Sequence, residues 1–169
     1  MKKFLIAMTL LLSLTFSAMA QNQPPKPPEL EFVMELKVNC EAPFSCGMTS
    51  HGERVVIPIV GGTFEGPKLK GTILSGGADY QYVDQKNGRN EIEAIYCIKT
   101  DDGVNIHIRN CGLIVMGKGD NGAPQFYFRT APKFDAPNDS KYAWLNNALF
   151  VCVPGFGQGY ISLKVWMVK

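Results

Sequence analysis

From Leu30 to Val38 the chain alternates. Leu30, Phe32, Met34, Leu36 and Val38 are apolar, and Glu29, Glu31, Glu35 and Lys37 fall between them, with Val33 alone breaking the polar side. A period of two sends neighbouring side chains to opposite faces, so the pattern predicts a half-buried strand. The same reading predicts strands over 55–60, 63–65, 68–74, 79–83, 91–99, 104–110, 113–116, 125–130, 148–153 and 160–168. A loop containing Cys and Gly runs to about Arg54. The breaks between strands are Gly61-Gly62, Gly66-Pro67, Gly76-Gly77, Asn87-Gly88, Asp102-Gly103, Asn121-Gly122 and the stretch from Gly155 to Gly159. Asn-Gly and Asp-Gly suit tight hairpins because these residues tolerate positive φ. Strands this frequent predict an all-β, antiparallel sandwich or barrel. One helical turn is expected, between Asp139 and Asn147, with Trp144 and Leu145 packing inward.

The first 20 residues follow another pattern. Lys2 and Lys3 precede an apolar run from Phe4 to Phe16, which ends at Ala18-Met19-Ala20. A basic start, a short apolar stretch and small residues before a cut mark a secretory signal peptide. The run is shorter than the ~20 residues of a spanning helix, and no later segment is apolar enough to span. Cleavage after Ala20 is therefore expected, with a periplasmic or secreted product. Residues 21–29, rich in Pro and Gln, read as a tether. Residues 30–169 then form one domain, within a mature chain long enough for a single core.

Cleavage changes the charge. The full chain carries 17 basic and 15 acidic residues. The signal takes two lysines and no acid, so the mature chain is formally neutral. Nucleic-acid binding is excluded, since phosphate recognition needs clustered excess Lys and Arg. All five cysteines, Cys40, Cys46, Cys97, Cys111 and Cys152, lie in the mature chain. Export favours oxidation, and the short loop between Cys40 and Cys46 makes them the expected disulfide. His51 lies nearby, but the spacing fits no standard zinc pattern, so no metal is expected. Gly155-Phe156-Gly157-Gln158-Gly159 lies between strands with no helix after it, so it is a hairpin loop and not a dinucleotide site. Nothing else calls for a cofactor.

Several longer strings carry a resemblance. They are Gly61 to Gly71 (GGTFEGPKLKG), Gly76 to Gln81 (GGADYQ), Thr100 to Gly103 (TDDG), Ile108 to Gly112 (IRNCG), Tyr127 to Pro132 (YFRTAP) and Tyr142 to Asn146 (YAWLN). In this order they resemble the domain of unknown function 3237 family. The resemblance implies a closed antiparallel β-barrel of the calycin kind, like lipocalins or allene-oxide cyclases. It implies no settled ligand or reaction. Many relatives lack the signal peptide and the Cys40–Cys46 loop, and often carry an aromatic where this chain has His107.

Strand alternation groups the candidate site residues. A hairpin centred near Asp102 sets Cys97 opposite His107 and Ile95 opposite Arg109, so Glu93, His107 and Arg109 share one surface. Gln125, Tyr127 and Arg129 share a face of the later strand. Two readings stay open. These polar faces are the solvated outside of the barrel, or they line its lumen; the coincidence of the family strings with Arg109, Tyr127 and Arg129 favours the lumen. There, the two guanidiniums would grip a carboxylate or enolate. Glu93 or Asp79 would serve as general base. Tyr127 would orient a carbonyl, and His107, Trp144 and Asn146 would complete a binding surface. The expected function is binding of a small organic ligand, with a carboxylate or carbonyl, in the lumen. The alternatives are an isomerase, cyclase or lyase, and a non-catalytic interaction module. A homo-oligomer is compatible with each.

Overall fold

The computed structural model describes residues 25–119 and 121–169. The expected signal peptide lies outside the described residues, as does the start of the tether. Residues 25–29 are exposed and without regular structure. Ten strands follow: β1 (Leu30–Cys40), β2 (Phe44–Thr49), β3 (Gly52–Glu65), β4 (Lys70–Ile73), β5 (Gly77–Asp84), β6 (Arg89–Thr100), β7 (Asn105–Lys118), β8 (Pro124–Asp135), β9 (Leu149–Phe156) and β10 (Ile161–Val168). A short 3-10 turn, Ala143–Asn147, falls within the expected helical stretch.

The strands make one antiparallel sheet that closes through β1, which pairs with both β10 and β3. β1 and β2 form one line along β3, interrupted at 41–43. β4 and β5 likewise form one line between β3 and β6. Ten strands therefore make a closed barrel of eight staves. Closure leaves few free edges, which is how an all-β chain of this size avoids edge-to-edge association. Close approach between staves explains two glycines. A Cβ on Gly62, at φ +134°, would sit 2.0 Å from the Lys37 carbonyl oxygen, and one on Gly77 would sit 2.4 Å from the Tyr96 Cβ.

The apolar faces of β6 and β7 turn inward, whereas in β1 a bulge between Phe32 and Met34 shifts the expected alternation, burying Val33 and leaving Leu30 and Phe32 exposed. Ile92, Ala94, Tyr96 and Ile98 of β6 are buried, as are Ile106 and Ile108 of β7. One half of the barrel is packed solid. Val33, Phe64, Leu69, Phe134, Tyr142, Leu145 and Phe150 fill it, with Phe134 edge-on to Phe150 at 4.9 Å between centroids. Leu145 of the 3-10 turn plugs this end. The other half is not filled, and the candidate site lies there.

Three sequence expectations need correction. The loop up to Arg54 contains a strand, β2, paired from Phe44↔Val56 to Thr49↔Gly52. The expected Cys40–Cys46 disulfide is absent, and all five cysteines are free thiols. The two lie at successive positions along one side of β3, with Cys40 opposite Ile59 and Cys46 at a bulge near Arg54 and Val55, so the line of strand pairing carries them apart. The predicted strand 125–130 runs on through Pro132 to Asp135. Proline is tolerated there because β8 pairs with β9 only at Thr130↔Cys152, leaving that flank without a ladder to break.

Candidate functional site

The open half of the barrel holds a cavity of about 170 Å³. Its wall is mostly Ile, Val, Leu and Phe, drawn from every stave. Into it project Asp79 and Gln81 of β5, Tyr96 of β6, Asn110 of β7, Thr130 of β8 and Cys40 of β1. Phe156, 71% exposed, stands at the rim and packs near Phe126 and Phe128 at 6.3–6.4 Å. These three rings bridge the part of the wall where β8 and β9 share no backbone hydrogen bonds.

Asp79 supplies the carboxyl group of this lumen. The Gln81 side-chain amide donates to its Oδ2 at 2.6 Å, and Asn90 donates to Gln81 Oε1 at 3.5 Å. That chain orients Gln81 and leaves Asp79 Oδ1 buried with no partner. Burial pushes the Asp79 carboxyl above the usual carboxylate range, against the opposing pull of the Gln81 amide, the Glu93 backbone and the Arg54 charge. Tyr96 is almost fully buried, and burial first, then the nearby Cys152, Asp79 and Cys40, raises its phenol. It therefore stays a neutral hydroxyl. Burial lifts the Cys152 thiol to about 11, opposed by Thr130 and Arg129. Cys40 is raised by burial and by Asp79. Asn110 Oδ1 is also buried without a partner, and Thr130 Oγ1 has only the Cys152 thiol beside it. Within one small apolar cavity, Asp79 Oδ1 and Asn110 Oδ1 lack a partner and Thr130 has only a thiol, an arrangement that costs stability. Among the described residues, no cluster of three metal-ligating side chains forms.

The polar strand faces named from the sequence lie elsewhere. The hairpin register is as expected, with Cys97↔His107 and Ile95↔Arg109. Yet Glu93, His107, Arg109, Tyr127 and Arg129 are on the outer wall, which corrects the lumen reading for all five. The reason is competition for the interior: each strand also carries an apolar face, and the barrel buries that one. Outside, Arg109 Nη2 and Nε donate to Glu93 Oε1 at 2.6 and 2.8 Å. His107 meets Asp135 at 3.3 Å. Arg129 donates to the Phe128 carbonyl at 2.7 Å and lies over the Tyr127 ring, satisfying a backbone acceptor where β9 does not. Trp144 and Asn146 sit at the packed end. Trp144 leans on Phe150, and Asn146 accepts from the Ala136 N–H at 2.7 Å and donates to its carbonyl at 2.8 Å. Both are structural. Of the catalytic and ligand-binding residues named from the sequence, Asp79 alone lines the lumen. Gln81, Tyr96, Asn110 and Thr130 were missed. The signal that could have found them is a polar residue on the apolar face of a strand, as Asn110 is after Ile106 and Ile108.

Comparison with known proteins places this architecture. A family model described as a protein of unknown function (DUF3237) matches residues 28–168. A UPF0311 protein of Clostridium acetobutylicum is 34% identical over 149 residues, covering 82% of this chain and 93% of the relative. The crystal structure of a β-barrel-like protein from Acinetobacter baumannii superposes with a TM-score of 0.75 at 32% identity, covering 88% of this chain and all of that one. The hydroalkoxylation enzyme phnH of Penicillium herquei is 28% identical over 162 residues, 95% of this chain and 98% of that enzyme. With the strand order, the lumen and these matches together, the chain belongs to the DUF3237 family of proteins of unknown function.

Proposed function

We propose that the lumen binds a small, largely apolar organic molecule and that Asp79 moves a proton on it. The observation that carries this reading is Asp79 itself: a carboxyl held in an apolar cavity, oriented by Gln81, with one oxygen left free. Burial favours its neutral acid form, and a neutral carboxyl can give one proton and take back another. The likeness to a hydroalkoxylation enzyme supports a reaction of that type. In such a reaction an alcohol O–H adds across a C=C bond. The carboxyl delivers its proton to an alkene carbon, the oxygen forms a C–O bond to the other carbon, and the hydroxyl proton returns to the carboxylate. No electron is gained or lost, so no redox cofactor is needed. Tyr96, a neutral phenol in the same cavity, is placed to steady the developing charge.

A suitable trial substrate is 2-allylphenol, a single ring with a hydroxyl and an alkene within reach of each other. Ring closure followed by loss of the alkene proton signals should occur with the wild type and fall at least ~100-fold in Asp79→Asn, the usual scale for a lost general acid. Closure at an unchanged rate in that variant would refute the role of Asp79. The outer-wall variant Glu93→Gln should leave the rate unchanged.

The first 20 residues support a second part of the proposal, that the protein works after export. The N-terminus of the protein recovered from the native host should begin at Gln21. Recovery of an intact Met1 terminus from the cytoplasm would refute it.

A further inference from the structure

We propose that the lumen selects a neutral ring compound bearing a hydroxyl and rejects carboxylates, with Asn110 and Thr130 as the groups that recognise the hydroxyl. The inference rests on the lumen being the binding site and adds the class of ligand. Asn110 is 3% exposed and Thr130 5% exposed, so neither is held by solvent. Asn110 pairs across the sheet with Ala94 on one side and Pro132 on the other, positions where an aliphatic side chain would pack without cost. Asn110 nevertheless lines the cavity, and its Oδ1 is buried with no partner. Thr130 Oγ1 has only the Cys152 thiol beside it, a weak hydrogen-bonding group that leaves it able to accept from a ligand.

The chemistry of the free atoms sets the ligand. Asn110 Oδ1 is an acceptor, and Thr130 Oγ1 can accept, so the complement is a donor O–H. The lining of the cavity contains no Lys, Arg or His. Arg109 and Arg129, which would have held a carboxylate, are outside. An anion would enter an apolar space that already resists ionisation of Asp79. Size points the same way: about 170 Å³ is close to the ~150 Å³ cavity known to take benzene. A purely apolar cavity of that size accepts hydrocarbons and penalises a hydroxyl it cannot pair. This one should do the reverse.

The test is calorimetric titration of the full chain at pH 7 with phenol, toluene and benzoate. Phenol should bind no more weakly than toluene and at least tenfold more tightly than benzoate. In Asn110→Leu, phenol affinity should fall at least tenfold while toluene affinity holds, and the melting temperature should rise because an unpaired buried polar group is gone. If that variant loses toluene as well, Thr130→Val carries the same comparison. Toluene bound with phenol rejected would overturn this inference and leave the lumen a binding site whose oxygens only hold water. Benzoate bound most tightly would also overturn it. Binding of none of the three would overturn both this inference and the proposed function.

Discussion

Asp79 pays for its position in the lumen with stability, and that cost depends on pH. Its folded pKa is raised, chiefly by burial. Its protonated form is therefore the one that favours the folded state. The stabilisation is complete below the ordinary carboxylate value of ~4 and is lost as pH climbs through the raised folded value. Asp79→Asn keeps an oxygen to accept from Gln81 and removes the charge. Its melting temperature should exceed that of the wild type at pH 7, by roughly 2–4 °C for each kcal/mol relieved, and the two should converge near pH 4. A variant less stable at pH 7 would mean that the carboxylate is well compensated where it lies. Asp79 was legible in the sequence as an acid within a short strand. Asn110 was not, because it follows Ile106 and Ile108 on a face whose period marks it as core. The charged residues stood out in the sequence only because they are charged, and charge is what a barrel keeps outside unless paired.

At the scale of elements, the alternation of β6, β7 and β8 was readable because each carries a clear two-residue period, whereas the bulge in β1 that turns Leu30 and Phe32 outward and Val33 inward was not. The β6–β7 register followed from one turn: Asp102-Gly103 closes the hairpin, with Gly103 at φ +91°, and every pair down to Arg89↔Val115 is then determined. Which face turns inward was not readable from one strand, since alternation is symmetrical until the other staves are in place. β2 was hidden for a different reason. All six of its residues are exposed, so it has no buried face to impose a period. It exists because it extends the line of β1 along β3. The seam between β8 and β9 was equally silent. It shows only in the structure, as a single bridge at Thr130↔Cys152 with Arg129 and three Phe rings serving the flanking positions.

The molecule as a whole divides the work between its two ends. One half of the barrel is packed with large side chains and anchored by Leu145 and Asn146. The other half leaves room for a ring and turns Asp79, Tyr96 and Asn110 into it. The family strings pointed to the barrel, and the barrel in turn moved the site from the charged outer wall to the lumen. The most direct test of that move is a carbon-detected NMR titration of the Asp79 and Glu93 carboxyl groups, with and without phenol. Asp79 should titrate above the ordinary carboxylate range and shift when phenol is added, while Glu93 stays unaffected by phenol. Asp79 titrating near ~4 and indifferent to phenol, with Glu93 responding in its place, would contradict the account.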